Sequence, residues 1–190
     1  IGGMRALGIS GINVTAPHKV EVMKYIDVVT DGAKKLGSVN TVVNRDGKLY
    51  GYNTDADGFC MALTKAGIEI ENSRILIIGA GGVVRPTLIR LIDNKPKSIT
   101  VVNRTKSKAK TLAEDILKST GFEVNTEIDK LEFDIVINTT SAGMEPQENV
   151  MPIDNIEEIN DLSFINENTA AVDMIYNPDK TLFLQEAEKR

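Results

Sequence analysis

Four consecutive apolar residues, Ile75-Leu76-Ile77-Ile78, run directly into Gly79-Ala80-Gly81-Gly82. A strand that is apolar at every position is buried on both faces, as in parallel sheets covered by helices. The glycine turn is followed by Val84, Leu88, Leu91 and Ile92 at helical spacing. Strand, glycine turn and helix in this order let backbone N–H groups face a pyrophosphate at a helix N-terminus. We therefore expect Gly79, Ala80, Gly81 and Gly82 to form the phosphate loop of a dinucleotide cofactor. Val84 occupies the third glycine position of the usual G-x-G-x-x-G pattern, which would loosen helix–strand packing but spare the phosphate contact. Pro86 falls in the first helical turn, where a missing N–H costs little.

The surrounding pattern alternates. Strands are expected at Ile99 to Val102, Phe122 to Thr126, Phe133 to Ile137 and Ala170 to Asp173. A helix is expected from Lys106 to Ser119, with Ala109, Leu112, Ala113, Ile116 and Leu117 inward. Alternating strands and helices imply a parallel sheet with crossovers, so the fold class is α/β, a Rossmann-like doubly wound parallel sheet. Residues 68–175 are assigned to this domain, 1–67 to part of a second α/β substrate domain, and 176–190 to a return towards the latter.

In the first part, Ile9 to Val14 reads as a strand. A helix from Pro17 to about Tyr25, capped by Thr15, should follow. A short helix is expected after Thr30, and Asp46-Gly47 marks a hairpin between Asn40 to Arg45 and Lys48 to Tyr52. Thr54-Asp55 opens a helix whose inward face would be Phe59, Ala62, Leu63 and Ala66, ending at Gly67.

The strand after the phosphate loop separates two cofactors. An NAD site usually ends this strand in Asp or Glu, which binds the ribose 2′-hydroxyl. Here Asn103-Arg104-Thr105 is followed by Lys106, Ser107 and Lys108. Arg104 can grip a 2′-phosphate through paired hydrogen bonds, and Lys108 adds positive charge. NADP is therefore the expected cofactor, with Thr105 also placed to cap the next helix.

Two strand-to-helix junctions carry the reactive groups. Thr15-Ala16-Pro17-His18-Lys19 offers an ammonium, and Asn53-Thr54-Asp55 a carboxylate. Side by side, Lys19 and Asp55 would make a charged pair suited to proton transfer; apart, they are a surface lysine and a cap aspartate.

The 190 residues carry a net charge of −5 and no concentrated basic block, which gives a nucleic-acid or membrane-surface role little electrostatic support. No apolar run is long enough for a membrane span. The single cysteine, Cys60, forms no internal disulfide and fits a reducing, cytoplasmic setting as a core residue. No metal site is expected.

These motifs, together with Asn13-Val14-Thr15-Ala16-Pro17-His18-Lys19, Gly37-Ser38-Val39-Asn40-Thr41, Gly51-Tyr52-Asn53-Thr54-Asp55, Asn138-Thr139-Thr140-Ser141-Ala142-Gly143-Met144 and Asp173-Met174-Ile175-Tyr176-Asn177-Pro178, resemble the shikimate dehydrogenases in order and across nearly the whole chain. The resemblance implies reversible reduction of 3-dehydroshikimate to shikimate with NADPH, in aromatic amino-acid biosynthesis. It implies Lys19 as acid/base and Asp55 as its partner, with Asp55 also touching substrate hydroxyls. Thr15, Asn40 and Tyr176 are implied as substrate contacts. Met174 and Asp31 are implied at the cofactor, beside Gly79 to Val83 and Asn103 to Lys108. His18 receives no catalytic role. A strand ahead of Ile1 with a serine-containing motif, and a glutamine-bearing helix after Arg190, are also implied, so the chain is expected to hold only part of the substrate site. Quinate as substrate, or cofactor binding without catalysis, are the alternatives.

Overall fold

In the computed structural model, which describes residues 1–159 and 161–190, the chain forms two compact units, Ile1–Lys65 and Ala66–Arg190.

The first unit opens with a helix, α1 (Gly2–Ala6), ahead of the first expected strand; Met4 is its buried residue. Strand β1 keeps only Gly11–Asn13 of the expected run. The helix expected from Pro17 is instead a set of turns followed by a 3-10 helix, Glu21–Tyr25. The Lys19 carbonyl accepts from the Val39 N–H at 2.8 Å, so it is engaged outside the helical ladder, and the Met23 N–H turns to Val20 at 3.2 Å. Thr15 consequently caps no α-helix; its carbonyl accepts from the His18 N–H at 2.9 Å.

Strand β2 (Val28–Val29) leads to α2 (Asp31–Leu36), which Thr30 caps through the Ala33 N–H. Strands β3 (Thr41–Arg45) and β4 (Lys48–Tyr52) form the expected hairpin. Its tip places Asp46 at φ 52° and Gly47 at φ 82°, the left-handed pair that a two-residue hairpin turn requires. The sheet runs β1-β3-β4-β2, antiparallel except for the β2–β4 edge. Met4, Val22, Ala33, Val39, Val42 and Leu49 form its core.

Helix α3 (Asp55–Lys65) closes this unit with a face rotated from the one expected. Ala56, Cys60 and Leu63 are buried, Phe59 is half-buried, and Ala62 and Ala66 are exposed.

The second unit is the doubly wound domain. Strands β5 (Arg74–Ile78), β6 (Ser98–Val102), β7 (Ile135–Asn138) and β8 (Ala170–Asp173) lie in the order β6-β5-β7-β8, all parallel. Ile75 through Ile78 are 0% exposed, as their unbroken apolar run implied. Helix α4 (Val84–Asp93) buries Val84, Leu88 and Leu91, so the departure at the third glycine position is absorbed within the packing.

Helix α5 (Lys106–Thr120) buries Ala109 and Ile116, while Leu117 on the expected inward face is 49% exposed. The strand expected at Phe122 to Thr126 shrinks to one bridge, Thr100 to Asn125, with Val124 buried beside it. After β7 a long irregular connection packs Ile153, Ile156, Ile159, Leu162 and Phe164 into the domain core. The last residues belong to the same core: α6 (Leu182–Ala187) buries Phe183 and Ala187, where a return to the first domain was expected.

Candidate functional site

Lys19 and Asp55, 36 residues apart, meet in the first unit with Nζ to Oδ2 at 2.7 Å. Their side chains are 26% and 50% exposed, so the pair is held by protein yet open to a ligand.

The hairpin explains the meeting. Asn40 precedes β3 and Asp55 follows β4, and neighbouring antiparallel strands bring the entry of one beside the exit of the other. The Asn40 backbone N–H donates to the Tyr52 carbonyl at 3.0 Å, and its own carbonyl accepts from the Val14 N–H at 2.7 Å. Its buried side chain donates to Asp55 Oδ1 at 2.5 Å and accepts from the Thr54 N–H at 3.0 Å. Asn53 adds a second brace, accepting from the Asp55 N–H at 3.1 Å while donating to Ser38 Oγ at 2.8 Å. One carboxylate oxygen is thus held by an amide and the other by an ammonium. A carboxylate held at both oxygens keeps a fixed orientation.

The remaining residues singled out by the sequence are distributed over both units. Thr15 and His18 are exposed. Asp31, on the first turn of α2, has a fully exposed carboxylate that meets Lys34 at 3.3 Å. Tyr176 and Met174 belong to the second unit, where Tyr176 is 90% exposed and the Met174 N–H donates to the Asn138 carbonyl at 3.0 Å.

The second cluster lies at the carboxyl ends of β5, β6 and β7. After β5 the chain crosses to β6 on one side, then returns to β7 on the other. The crevice between β5 and β7 is therefore the topological switch point, where doubly wound sheets bind their ligands. Gly79 sits in this crevice at φ 118°, and a Cβ there would lie 2.5 Å from Thr139 Oγ1. That hydroxyl, which donates to the Ile78 carbonyl at 2.8 Å, fastens the two strand ends together. Above Gly81 and Gly82 a Cβ would meet nothing within 4 Å, which leaves open space at the N-terminus of α4. A diphosphate fits such a place.

A cavity of about 300 Å³ continues from there, lined by Gly79, Asn103, Arg104, Thr105 and Lys108 on one side. Its far side comes from the connection after β7, including Thr140, Gln147 and Asn155, which the sequence reading did not single out. The signal for Thr140 was present in Asn138-Thr139-Thr140, read only as part of a motif. The Asn138 side chain is fully buried and donates to both Asp173 oxygens, at 3.1 and 3.0 Å. Thr181 donates to the same carboxylate at 2.7 Å.

Ala80, Ser107 and Lys108 line a neighbouring, more open depression. Thr105 begins α5 without a side-chain cap, and the Asn103 amide instead donates to the Thr105 carbonyl at 2.9 Å. Lys106 turns to Glu157 and Glu158, at 2.8 and 2.9 Å. Those carboxylates, Glu157 foremost, hold its ammonium well above the ordinary lysine range. Among the described residues no cluster of His, Cys, Asp and Glu suits a metal ion, and no helix is long and apolar enough to cross a membrane.

Comparison with known proteins gives two family matches: the shikimate dehydrogenase substrate binding domain over residues 1–42, and shikimate / quinate 5-dehydrogenase over residues 61–176. A shikimate dehydrogenase (NADP(+)) from Geobacillus sp. (strain WCH70) is 46% identical over 195 residues, covering 100% of this chain and 68% of the relative. A shikimate dehydrogenase solved in complex with NADP+ is 38% identical with TM-score 0.86, over 99% of this chain and 65% of that one. The shikimate 5-dehydrogenase of Listeria monocytogenes, in complex with shikimate and NAD, is 31% identical with TM-score 0.84, over 99% of this chain and 67% of that one. The chain thus spans about two thirds of the length of the relatives it matches.

Proposed function

Because this chain belongs to the shikimate dehydrogenase family of NADP-dependent oxidoreductases, we propose that its residues divide a reversible 3-dehydroshikimate reduction between the two clusters described. NADPH, when bound, supplies the hydride. The open space over Gly81 and Gly82 takes its diphosphate, and Arg104 and Lys108 take the 2′-phosphate. Met174 is assigned to the cofactor site.

Lys19 stabilises the negative charge that grows on the ketone oxygen and passes it a proton. Asp55 holds the ammonium in place and contacts a substrate hydroxyl. Asn40 fixes the Asp55 carboxylate, and Thr15 and Tyr176 contact the ring substituents. The substrate class is a polyhydroxylated cyclic carboxylate, shikimate ahead of quinate, and the setting is the cytoplasm.

The observation that carries this reading is the 2.7 Å Lys19–Asp55 contact, braced by a buried amide. The test couples shikimate-dependent formation of NADPH to calorimetric NADP+ binding. Turnover that falls at least about 100-fold in Lys19→Ala, with NADP+ affinity retained, supports the assignment. Near-normal turnover in that variant removes Lys19 from the mechanism. NADP+ binding without turnover by the 190-residue chain favours the second reading, a cofactor-binding unit whose catalysis needs further residues. The chain's two-thirds span of its relatives supports keeping that reading.

A further inference from the structure

Three cations open α5 and the turn before it: Arg104, Lys106 and Lys108. Their partners differ sharply. Lys106 meets two carboxylates, Glu157 Oε2 at 2.8 Å and Glu158 Oε1 at 2.9 Å. Arg104 and Lys108 have no side-chain hydrogen bond or ion pair among the described residues.

The glutamates are close enough to matter to Arg104. Arg104, Lys106, Glu157 and Glu158 line one small cavity of about 210 Å³. It shares Asn103, Arg104, Asn155 and Ile156 with the larger cavity that runs to Gly79. Two carboxylates therefore stand on the rim of a pocket suited to a phosphate, which they would repel. They would also compete with the phosphate for the nearest free guanidinium, because arginine pairs well with carboxylate and phosphate alike.

We propose that Lys106 is a guard residue: by holding Glu157 and Glu158 it leaves Arg104 and Lys108 free for the 2′-phosphate, and so sets the preference for NADP over NAD without touching the cofactor. This inference rests on the assignment of Arg104 to the 2′-phosphate made above. Lys106 is thus a positioning residue acting through Arg104. With Lys106 truncated, the glutamates turn to Arg104, and only the phosphorylated cofactor loses a contact. The glutamates are 82% and 24% exposed, which moderates the effect.

Calorimetric titration with NADP+ and NAD+ tests this on four variants of the chain. Lys106→Ala should weaken NADP+ binding about five- to tenfold and NAD+ binding less than about twofold. Adding Glu157→Gln and Glu158→Gln to Lys106→Ala should restore NADP+ binding to within about twofold of the parent. Equal weakening for both cofactors overturns the proposal, since Lys106 would then only fasten the connection after β7. So does a loss that persists in the triple variant, since Lys106 would then itself grip the phosphate.

Should Lys106→Ala fold poorly, Glu157→Gln with Glu158→Gln provides the second arm. It should keep or tighten NADP+ binding, and a lost NADP+ preference overturns the guard role. Arg104→Ala separates the two levels of the argument: undiminished NADP+ preference there removes the Arg104 assignment, and the guard role falls with it.

Discussion

The side-chain amide of Asn40 donates to Asp55 at 2.5 Å, on the carboxylate oxygen that Lys19 leaves open. Asn40→Ala removes that bond and leaves Asp55 with a single fixed oxygen. Turnover with shikimate should fall about 10- to 100-fold, with the larger part in kcat, because the loss is of orientation rather than of substrate grip. Steady-state kinetics checks the split, and an effect confined to KM counts against it.

Asp55→Asn keeps the shape and removes the charge. NADP+ affinity should stay within about twofold, because the phosphate pocket belongs to the second unit, while kcat drops at least about 100-fold. Calorimetry and initial rates together separate the two effects.

Gly79 and Gly82 should respond differently to the same change. Gly79→Ala adds a Cβ 2.5 Å from Thr139 Oγ1 at φ 118° and should destabilise the second unit by about 2–4 kcal/mol. Gly82→Ala fills open space, so unfolding should change little while NADP+ affinity falls at least about tenfold. Urea denaturation and cofactor titration on both variants form a crossed test.

Among the described residues Asp173 is held by neutral donors: Asn138 at 3.1 and 3.0 Å, Thr181 at 2.7 Å and the Ile175 N–H at 2.9 Å. Asp173→Asn turns one acceptor oxygen into a donor facing donors. It should cost about 1–3 kcal/mol of stability. The loop carrying Met174 and Tyr176 should also become more accessible to limited proteolysis.

A further measurement follows from Asp134, whose carboxyl the Arg74 guanidinium holds below the usual carboxylate range. Arg74 meets it at 2.9 and 3.1 Å, and the Arg74 N–H adds a bond at 2.7 Å. A carboxylate whose folded pKa is depressed contributes stability that is present above its unfolded value, near about pH 4, and lost as pH falls through the folded one. Arg74→Met should therefore flatten the fall in stability on acidification below about pH 4 while lowering stability at neutral pH. Urea midpoints measured from pH 7 to pH 2 give the comparison.

What could be read in advance follows the strength of local patterning. Ile75-Leu76-Ile77-Ile78 was legible because burial on both faces leaves no polar alternation. Asp46-Gly47 was legible because few residues tolerate left-handed geometry. The helix at Pro17 failed for a non-local reason, the capture of the Lys19 carbonyl by Val39. Phe122 to Thr126 had strand composition but found a neighbour only at Asn125. The faces of α3 and α5 were misjudged because alanine and leucine positions alone do not say where the sheet lies.

In the site, Lys19 and Asp55 could be named, but their contact depends on a hairpin register that no window of sequence contains. Asn40 was named for the substrate, and its bracing of Asp55 emerged only from the fold. Lys106 looked like its neighbours Arg104 and Lys108, because nothing near it in sequence announces Glu157 and Glu158.

The hairpin that joins Asn40 to Asp55 also sets how this region can change length. Thr41 pairs with Tyr52 at its base, and the turn at Asp46-Gly47 lies at the opposite end. Adding one residue to each strand lengthens the arm and leaves the base pairing as it was. Adding one residue to a single strand forces a bulge or sends every later side chain to the other face. Drift in this arm is thus a matter of parity: matched insertions pass without effect on the chemistry, and unmatched ones carry Asp55 away from Lys19.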